Sequence, residues 1–279
     1  MARTIKSLKG LSSGKNLSSL LCEGSTSPFF SSPSVALYQS DCIAFLDSLG
    51  EGSVDLIVTD PAYSGMNNKM NFGKGRIVGD YQKKENGKWF PEFKDDPQTF
   101  RRFLEASSRV LRNNRHIYIM SDSFSLLSLG HIVREVFNMK NILVWDKVNI
   151  GMGHYFRRRH EFILFATKGE RKLNSKSMPD VWNIKRITRG AYPTQKPVEV
   201  FENMIKTSSE PDFVVCDPFM GSGSSAIAAL KQRCRFIGAD ISKKACELSE
   251  KRIQQFLGTG KDIISAASLS APSGSAGLF

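Results

Sequence analysis

Two short stretches carry residue types that can do chemistry, and each directly follows an apolar, β-branched run. The first is Asp60-Pro-Ala-Tyr63, after Val54-Asp-Leu-Ile-Val-Thr59. A carboxylate acceptor, a proline-fixed turn that points a carbonyl outward and an aromatic ring together suit a planar ligand bearing an NH2 group. Taken alone the stretch reads equally well as a strand-to-loop turn with a packing tyrosine, because Asp-Pro turns are common. The second is Asp217-Pro-Phe-Met-Gly-Ser-Gly-Ser-Ser225, set between Phe213-Val-Val-Cys216 and a helical pattern. An acid closing a strand, then Gly221 and Gly223 letting the chain turn close to a ligand, is how α/β folds hold a nucleoside cofactor at strand ends. The third glycine of the dinucleotide fingerprint is absent and no Gly-Lys-Ser/Thr follows, so the stretch is neither that motif nor a P-loop. Arg235-Phe-Ile-Gly-Ala-Asp240 ends in an acid about 20 residues further on, where a ribose hydroxyl would find an acceptor or a helix its N-cap.

The elements that must position these residues alternate along the chain. Strand-like runs begin at Val35, Val54, His116, Ile142, Glu161, Phe213 and Arg235. Helical patterns cover Asp41 to Leu49, Pro97 to Leu111, Ser123 to Phe137, Val198 to Thr207, Ser222 to Lys231 and Lys243 to Phe256. The expected fold is α/β: a doubly wound, mostly parallel seven-stranded sheet. Residues 1–34 are rich in Ser, Gly and Lys and read as a flexible arm; 35–258 form the catalytic domain; 259–279, again Ser, Ala and Gly, form a flexible tail. Two stretches break the alternation, the Gly/Asn/Lys-rich loop 64–96 and the basic segment 168–193, and loops of that length commonly bind or cover a ligand.

Composition narrows the partner. The 279 residues hold 39 Lys+Arg against 27 Asp+Glu, a formal charge of +12, which favours a polyanion because phosphate contacts release condensed counterions. The five cysteines form neither a C-x-x-C pair nor a zinc-spaced Cys/His cluster, so no metal site is expected. No apolar run approaches the roughly 20 residues that span a bilayer, and the first 34 residues lack the apolar core of a secretory signal. The cytoplasm of a bacterial or phage-infected cell is the default compartment, with organellar or nuclear targeting as the alternative.

Taken jointly, the motifs resemble the amino-methyltransferase family of DNA modification enzymes, which act on adenine N6 or cytosine N4. The resemblance runs from Val35 to Phe256 through Leu37-Tyr-Gln-Ser-Asp-Cys42, Asp60-Pro-Ala-Tyr63, Trp145-Asp-Lys147, Arg159-His-Glu-Phe-Ile-Leu164, Pro193-Thr-Gln-Lys-Pro-Val198 and Asp217-Pro-Phe-Met-Gly-Ser-Gly223. The catalytic tetrapeptide precedes the cofactor loop, the order of that family's β group. The resemblance implies a Rossmann-like methyltransferase fold, S-adenosylmethionine as cofactor, double-stranded DNA as partner and a place in DNA methylation and restriction-modification. It places Phe219, Gly221 and Gly223 at the cofactor's amino-acid end with Asp217 beside them, Asp240 on the ribose and Asp41 on the adenine amino group. Thr194 and Lys196 would hold the cofactor carboxylate. Asp41 serves equally as a helix cap and Lys196 as a surface lysine. The family's tetrapeptide usually carries a second proline where this chain has Ala62, which loosens the turn but leaves Pro61 in place.

The implied reaction needs a flipped base, stacked on Tyr63, with Asp60 and the Pro61 carbonyl accepting the two amine hydrogens. Asp at position 60 tilts the resemblance toward adenine N6, where Ser would tilt it toward cytosine N4. No cysteine follows a proline, which argues against a carbon-5 cytosine enzyme. Phosphate contacts are expected from Arg157, Arg158, Arg159, Lys185, Arg186 and Arg189, among the interleaved aromatics Tyr155, Phe156, Trp182 and Tyr192. Lys168, Arg171, Lys172 and Lys176 belong to the same basic run, and the loop 64–96 would close over the base. The short segment 168–193 implies a short recognition sequence or a homodimer. The competing readings are methylation of an amino nitrogen in RNA or on protein, and an inactive DNA-docking subunit.

Overall fold

The computed structural model describes residues 17–22, 27–61, 63, 93–94, 96–151, 155–187, 192 and 194–262. Its strands are β1 (Phe30–Ser31), β2 (Val35–Gln39), β3 (Val54–Thr59), β4 (Leu111–Ser121), β5 (Asn138–Asp146), β6 (His160–Lys168), β7 (Val181–Asn183), β8 (Val214–Asp217) and β9 (Arg235–Asp240). Its α-helices are α1 (Cys42–Ser48), α2 (Pro97–Val110), α3 (Ser123–Val136), α4 (Val198–Ser208), α5 (Ser224–Lys231) and α6 (Lys243–Thr259).

The strands form one sheet in the order β1-β2-β9-β8-β3-β4-β6-β5-β7. Strands β2, β9, β8, β3 and β4 run parallel, and β6 lies antiparallel between β4 and β5. The seven expected strands are all present. The two additional ones, β1 and β7, are too short for a two-residue alternation to show in sequence.

Helices cover both faces, so β3 and β8 are buried at every position rather than at alternate ones. Ile57, Ile117 and Ile119 pack with Phe45, Phe100, Phe103, Leu104 and Ile132 on one face. Leu56, Val58, Tyr118 and Met120 pack with Phe201, Met204, Ile227 and Phe256 on the other. Asp41, Asp96 and Asp122 accept from the first free amides of α1, α2 and α3, and Pro97 follows its cap at the start of α2, where a missing N–H costs nothing.

Two expected boundaries move. Leu17 is fully buried in a short 3-10 helix (Leu17–Leu20), and Phe30–Ser31 pairs with β2, so the expected arm 1–34 includes core-forming residues. A single leucine and a two-residue strand are lost in a Ser-rich background when read by composition. At the other end, α6 continues to Thr259 and Asp262 is buried in a two-pronged ion pair with Arg252, so residues 259–262 belong with the folded domain. Among the described residues no helix is long and apolar enough to cross a membrane.

Candidate active site

Because β2, β9, β8 and β3 are parallel neighbours, their carboxyl ends stand in a row, and four aspartates occupy those ends: Asp41, Asp240, Asp217 and Asp60. Ligands of open α/β sheets bind outside these ends where the strand order reverses. Here β2 leads through α1 to β3, yet β8 and β9 come in from the far end of the chain to fill the space between them. A cavity open to solvent lies over the row and is walled by all four aspartates.

The glycine loop is held by its neighbours. Gly221 and Gly223 take φ of +50° and +77°, which side chains other than hydrogen rarely adopt. Asp240 accepts from Gly221 N at 2.9 Å and from Ser242 N at 2.8 Å, while Ser249 Oγ donates to the Gly221 carbonyl at 2.8 Å. Asp217 accepts from Thr59 Oγ1, Phe219 N and Ser225 Oγ at 2.9, 3.0 and 2.6 Å. Burial outweighs these three donors and pushes the Asp217 carboxyl up to about 7; burial also raises Asp240. Asp217 is therefore a joint between β3 and the glycine loop as well as part of the wall. Phe219 packs edge-on against Phe93 and Phe103, with ring centres 5.3 and 5.7 Å away. Tyr192 lies over Gly221 and Thr194 stands on the cavity wall. Asp41 caps α1 through Oδ1 at 2.9 and 3.2 Å and also lines the cavity.

Around Asp60 the structure assembles a charge cluster. Lys196 Nζ donates to Asp60 Oδ2 and lies 3.6 Å from Glu161 Oε2, and Glu161 Oε1 is 3.1 Å from Lys147 Nζ. Two cations and two carboxylates alternate, so the buried charges compensate one another. Burial raises the Asp60 carboxyl against the pull of Lys196. Burial also acts on Glu161, but Lys196 and Lys147 bring it below its ordinary value. Lys196 is pushed up by its two carboxylates despite burial. Lys196 thus hydrogen-bonds Asp60 first, with Glu161 close by as an ion-pair partner, and its ammonium has further N–H groups to offer a ligand carboxylate. Glu161 and Lys147 lay inside quoted motifs with no role, since nothing in their spacing reveals that β5, β6 and the segment before α4 converge on Asp60.

The rest of the tetrapeptide is arranged differently from the expectation. Tyr63 N donates to the Pro61 carbonyl at 3.0 Å, and Tyr63 OH donates to the Met120 carbonyl at 3.1 Å. The Tyr63 ring is buried near Phe100 and is not part of the cavity wall, because the tight turn at Pro61 carries it toward α2. Ala62, Arg189 and most of the loop 64–96 lie outside the described residues; of that loop Phe93 lines the cavity.

The basic residues divide by sheet edge. Lys168 pairs with Arg115 at the edge away from Asp60, and its Nζ donates to the Ser108 and Leu111 carbonyls. Arg171 stacks over Phe213 and binds Glu210, so the beginning of the segment 168–193 ties the fold together rather than reaching the site. The chain then returns through β7, parallel to β5, which brings Lys185 and Arg186 to the catalytic edge. Arg157 and Arg158 stand there too, with Arg157 Nε on the Gly151 carbonyl and Arg158 over Phe124. Arg159 places its guanidinium on Asp146, with both bonds at 2.7 Å.

Comparison with known proteins agrees with this geometry. The DNA methylase family model matches residues 54–251. The type II methyltransferase M2.DpnII of Streptococcus pneumoniae is 28% identical, covering 82% of this chain and 93% of its own length. M2.MboI of Moraxella bovis is 27% identical, covering 82% and 91%. A crystal structure of M1.HpyAVI in complex with SAM superposes with a TM-score of 0.58 at 21% identity, over 78% of this chain and 99% of that one, a likeness of fold. That family model runs through both the tetrapeptide and the glycine loop and matches well over half of the chain: the chain belongs to the DNA methylases.

Proposed function

We propose that the chain transfers a methyl group from S-adenosylmethionine to adenine N6 in double-stranded DNA, acting on a base displaced from the helix. The observation that carries this reading is the continuity of one cavity from Asp41 and Asp240, through the glycine loop, to Asp60.

The wall fits the cofactor. Asp41 and Asp240 offer acceptors for an amino group and for ribose hydroxyls, and Ile241, about half exposed beside Asp240, offers an apolar face to a planar ring. The Gln195 amide is buried on the wall with neither its oxygen nor its nitrogen hydrogen-bonded, a cost that a polar ligand would remove. Thr194 and the ammonium of Lys196 suit a carboxylate. When bound, the cofactor supplies an electrophilic methyl group on a sulfonium.

Asp60 carries the chemistry on the protein side. Its carboxylate accepts one amine hydrogen of the base, orienting the nitrogen lone pair, and takes the proton that the nitrogen sheds as its bond to carbon forms. Lys196 and Glu161 hold that carboxylate in place. The Pro61 carbonyl accepts the second amine hydrogen, using the lone pair that Tyr63 N leaves free. Stacking on Tyr63 requires the ring to leave its seat below Met120. Asp rather than Ser at position 60 favours adenine.

The test is incubation with S-adenosylmethionine and unmethylated genomic DNA, followed by mass spectrometry of the nucleosides. N6-methyladenine is the expected product. N4-methylcytosine would overturn the choice of base, and no methylated nucleoside would overturn the activity.

A further inference from the structure

The connection between β5 and β6 is built at some expense to present aromatic side chains to water. Tyr155 and Phe156 are 94% and 103% exposed, whereas large rings normally seek cover, and Val148 and Ile150 are also exposed. Three features hold the connection in shape. Val148 takes φ of +66°, an outlier for a β-branched residue, with its N–H on Asp146 Oδ1 at 2.7 Å. Gly151 N donates to the Arg158 carbonyl at 2.8 Å, and a Cβ at Gly151 would meet that same oxygen at 2.9 Å, so the crossing requires glycine. Lys147 N donates to the Arg159 carbonyl at 2.8 Å, and the paired Arg159 and Asp146 side chains close the base. Backbone strain maintained by several surrounding contacts is characteristic of functional elements.

The base of this connection is also the rim of the catalytic centre. Lys147 and Glu161 flank it, and through Glu161 it is tied to Lys196 and Asp60. Exposed cations frame the rings: Arg157 and Arg158 follow them directly, and Lys185 comes to the same edge after β7. Apolar rings framed by cations, beside a site that needs a base displaced, are the chemistry of a duplex wedge: rings enter the stack and guanidinium groups take the phosphates.

Resting on the DNA methylase reading, we propose that Tyr155 and Phe156 enter the double helix beside the target and occupy the space the displaced base leaves, with Arg157 and Arg158 on the flanking phosphates. The occupant of this surface is therefore duplex DNA. Arg157 and Arg158 on the same strip as the rings favour a polyanion over a second copy of a chain whose net charge is already +12.

The experiment uses the full chain, with the methylated sequence first located by sequencing DNA that the wild type has modified. A duplex is then made with the fluorescent base 2-aminopurine at the target position. Wild type is expected to raise its fluorescence on binding. The double variant Tyr155→Ala, Phe156→Ala, on an exposed strip where folding is not at stake, is expected to lose that rise and to transfer methyl groups to matched duplex about tenfold more slowly. A target placed opposite an abasic site, already unpaired, should restore both. Unchanged fluorescence and rate in the variant would overturn the wedge, as would an equal loss on paired and unpaired targets. A shift in sedimentation between wild type and variant would overturn it in favour of a second copy. If wild type itself methylates no DNA, it is the methylase reading that fails; if wild type methylates and the variant still displaces the base, the wedge alone fails.

Discussion

Lys196 Nζ lies on Asp60 Oδ2 with Glu161 on its other side, so the residue expected to bind the cofactor's carboxylate also acts on the charge of Asp60. In the proposed reaction Asp60 works as the carboxylate, and its carboxyl is raised by burial, lowered by Lys196 and raised by Glu161.

Opposite shifts are therefore expected from two substitutions. Lys196→Met removes the cation that favours the carboxylate, so the acid limb of the pH–rate profile for methyl transfer should move to higher pH. Glu161→Gln removes a competing negative charge, so the limb should move to lower pH. Profiles of kcat measured at saturating cofactor and DNA would show it; shifts in the same direction would remove the electrostatic coupling assigned here.

The glycine loop is braced from behind. Arg252, 1% exposed, donates to the Ser222 carbonyl at 2.9 Å and Ser224 Oγ at 3.0 Å and is neutralised by Asp262. Asp262→Ala leaves that guanidinium buried and unpaired, which should destabilise the fold by about 3–5 kcal/mol. The double variant Arg252→Met, Asp262→Leu should recover most of the loss, and urea denaturation of the set would check both values. A single variant as stable as wild type would mean that the pair is dispensable.

Asp217 gives the stability a pH signature. Its carboxyl, ordinarily near 3.8, stands at about 7 in the folded chain, so the folded state holds a proton that the unfolded state gives up. The stabilisation is complete at pH below the unfolded value and is lost as pH rises toward the folded one. Between about pH 5 and pH 8, wild type should lose on the order of 3 kcal/mol relative to Asp217→Asn. Denaturation midpoints of the two proteins across that window decide it; parallel curves would place the Asp217 carboxyl at an ordinary value.

Much of the architecture was legible along the chain because the signals are local. Continuous β-branched runs announce strands buried on both faces, and Asp217 to Gly223 announces a turn that needs positive φ. Motif order, read one residue after another, already pointed to DNA methylation. What the chain alone left open lies in distances across the sheet. Thr59 and Asp217 are 158 positions apart and share a hydrogen bond only because β8 is inserted beside β3. Lys196 could be named from its motif, but its place between Asp60 and Glu161 depends on β6 running antiparallel beside β4, a pairing that strand composition does not encode. Arg159 and Arg157 look alike as charges in a run, and only packing shows one paired with Asp146 and the other standing at the rim. Residue type and spacing decide which groups can react; the folded sheet decides which groups meet, because hydrogen-bonded strands bring together residues that the chain keeps far apart.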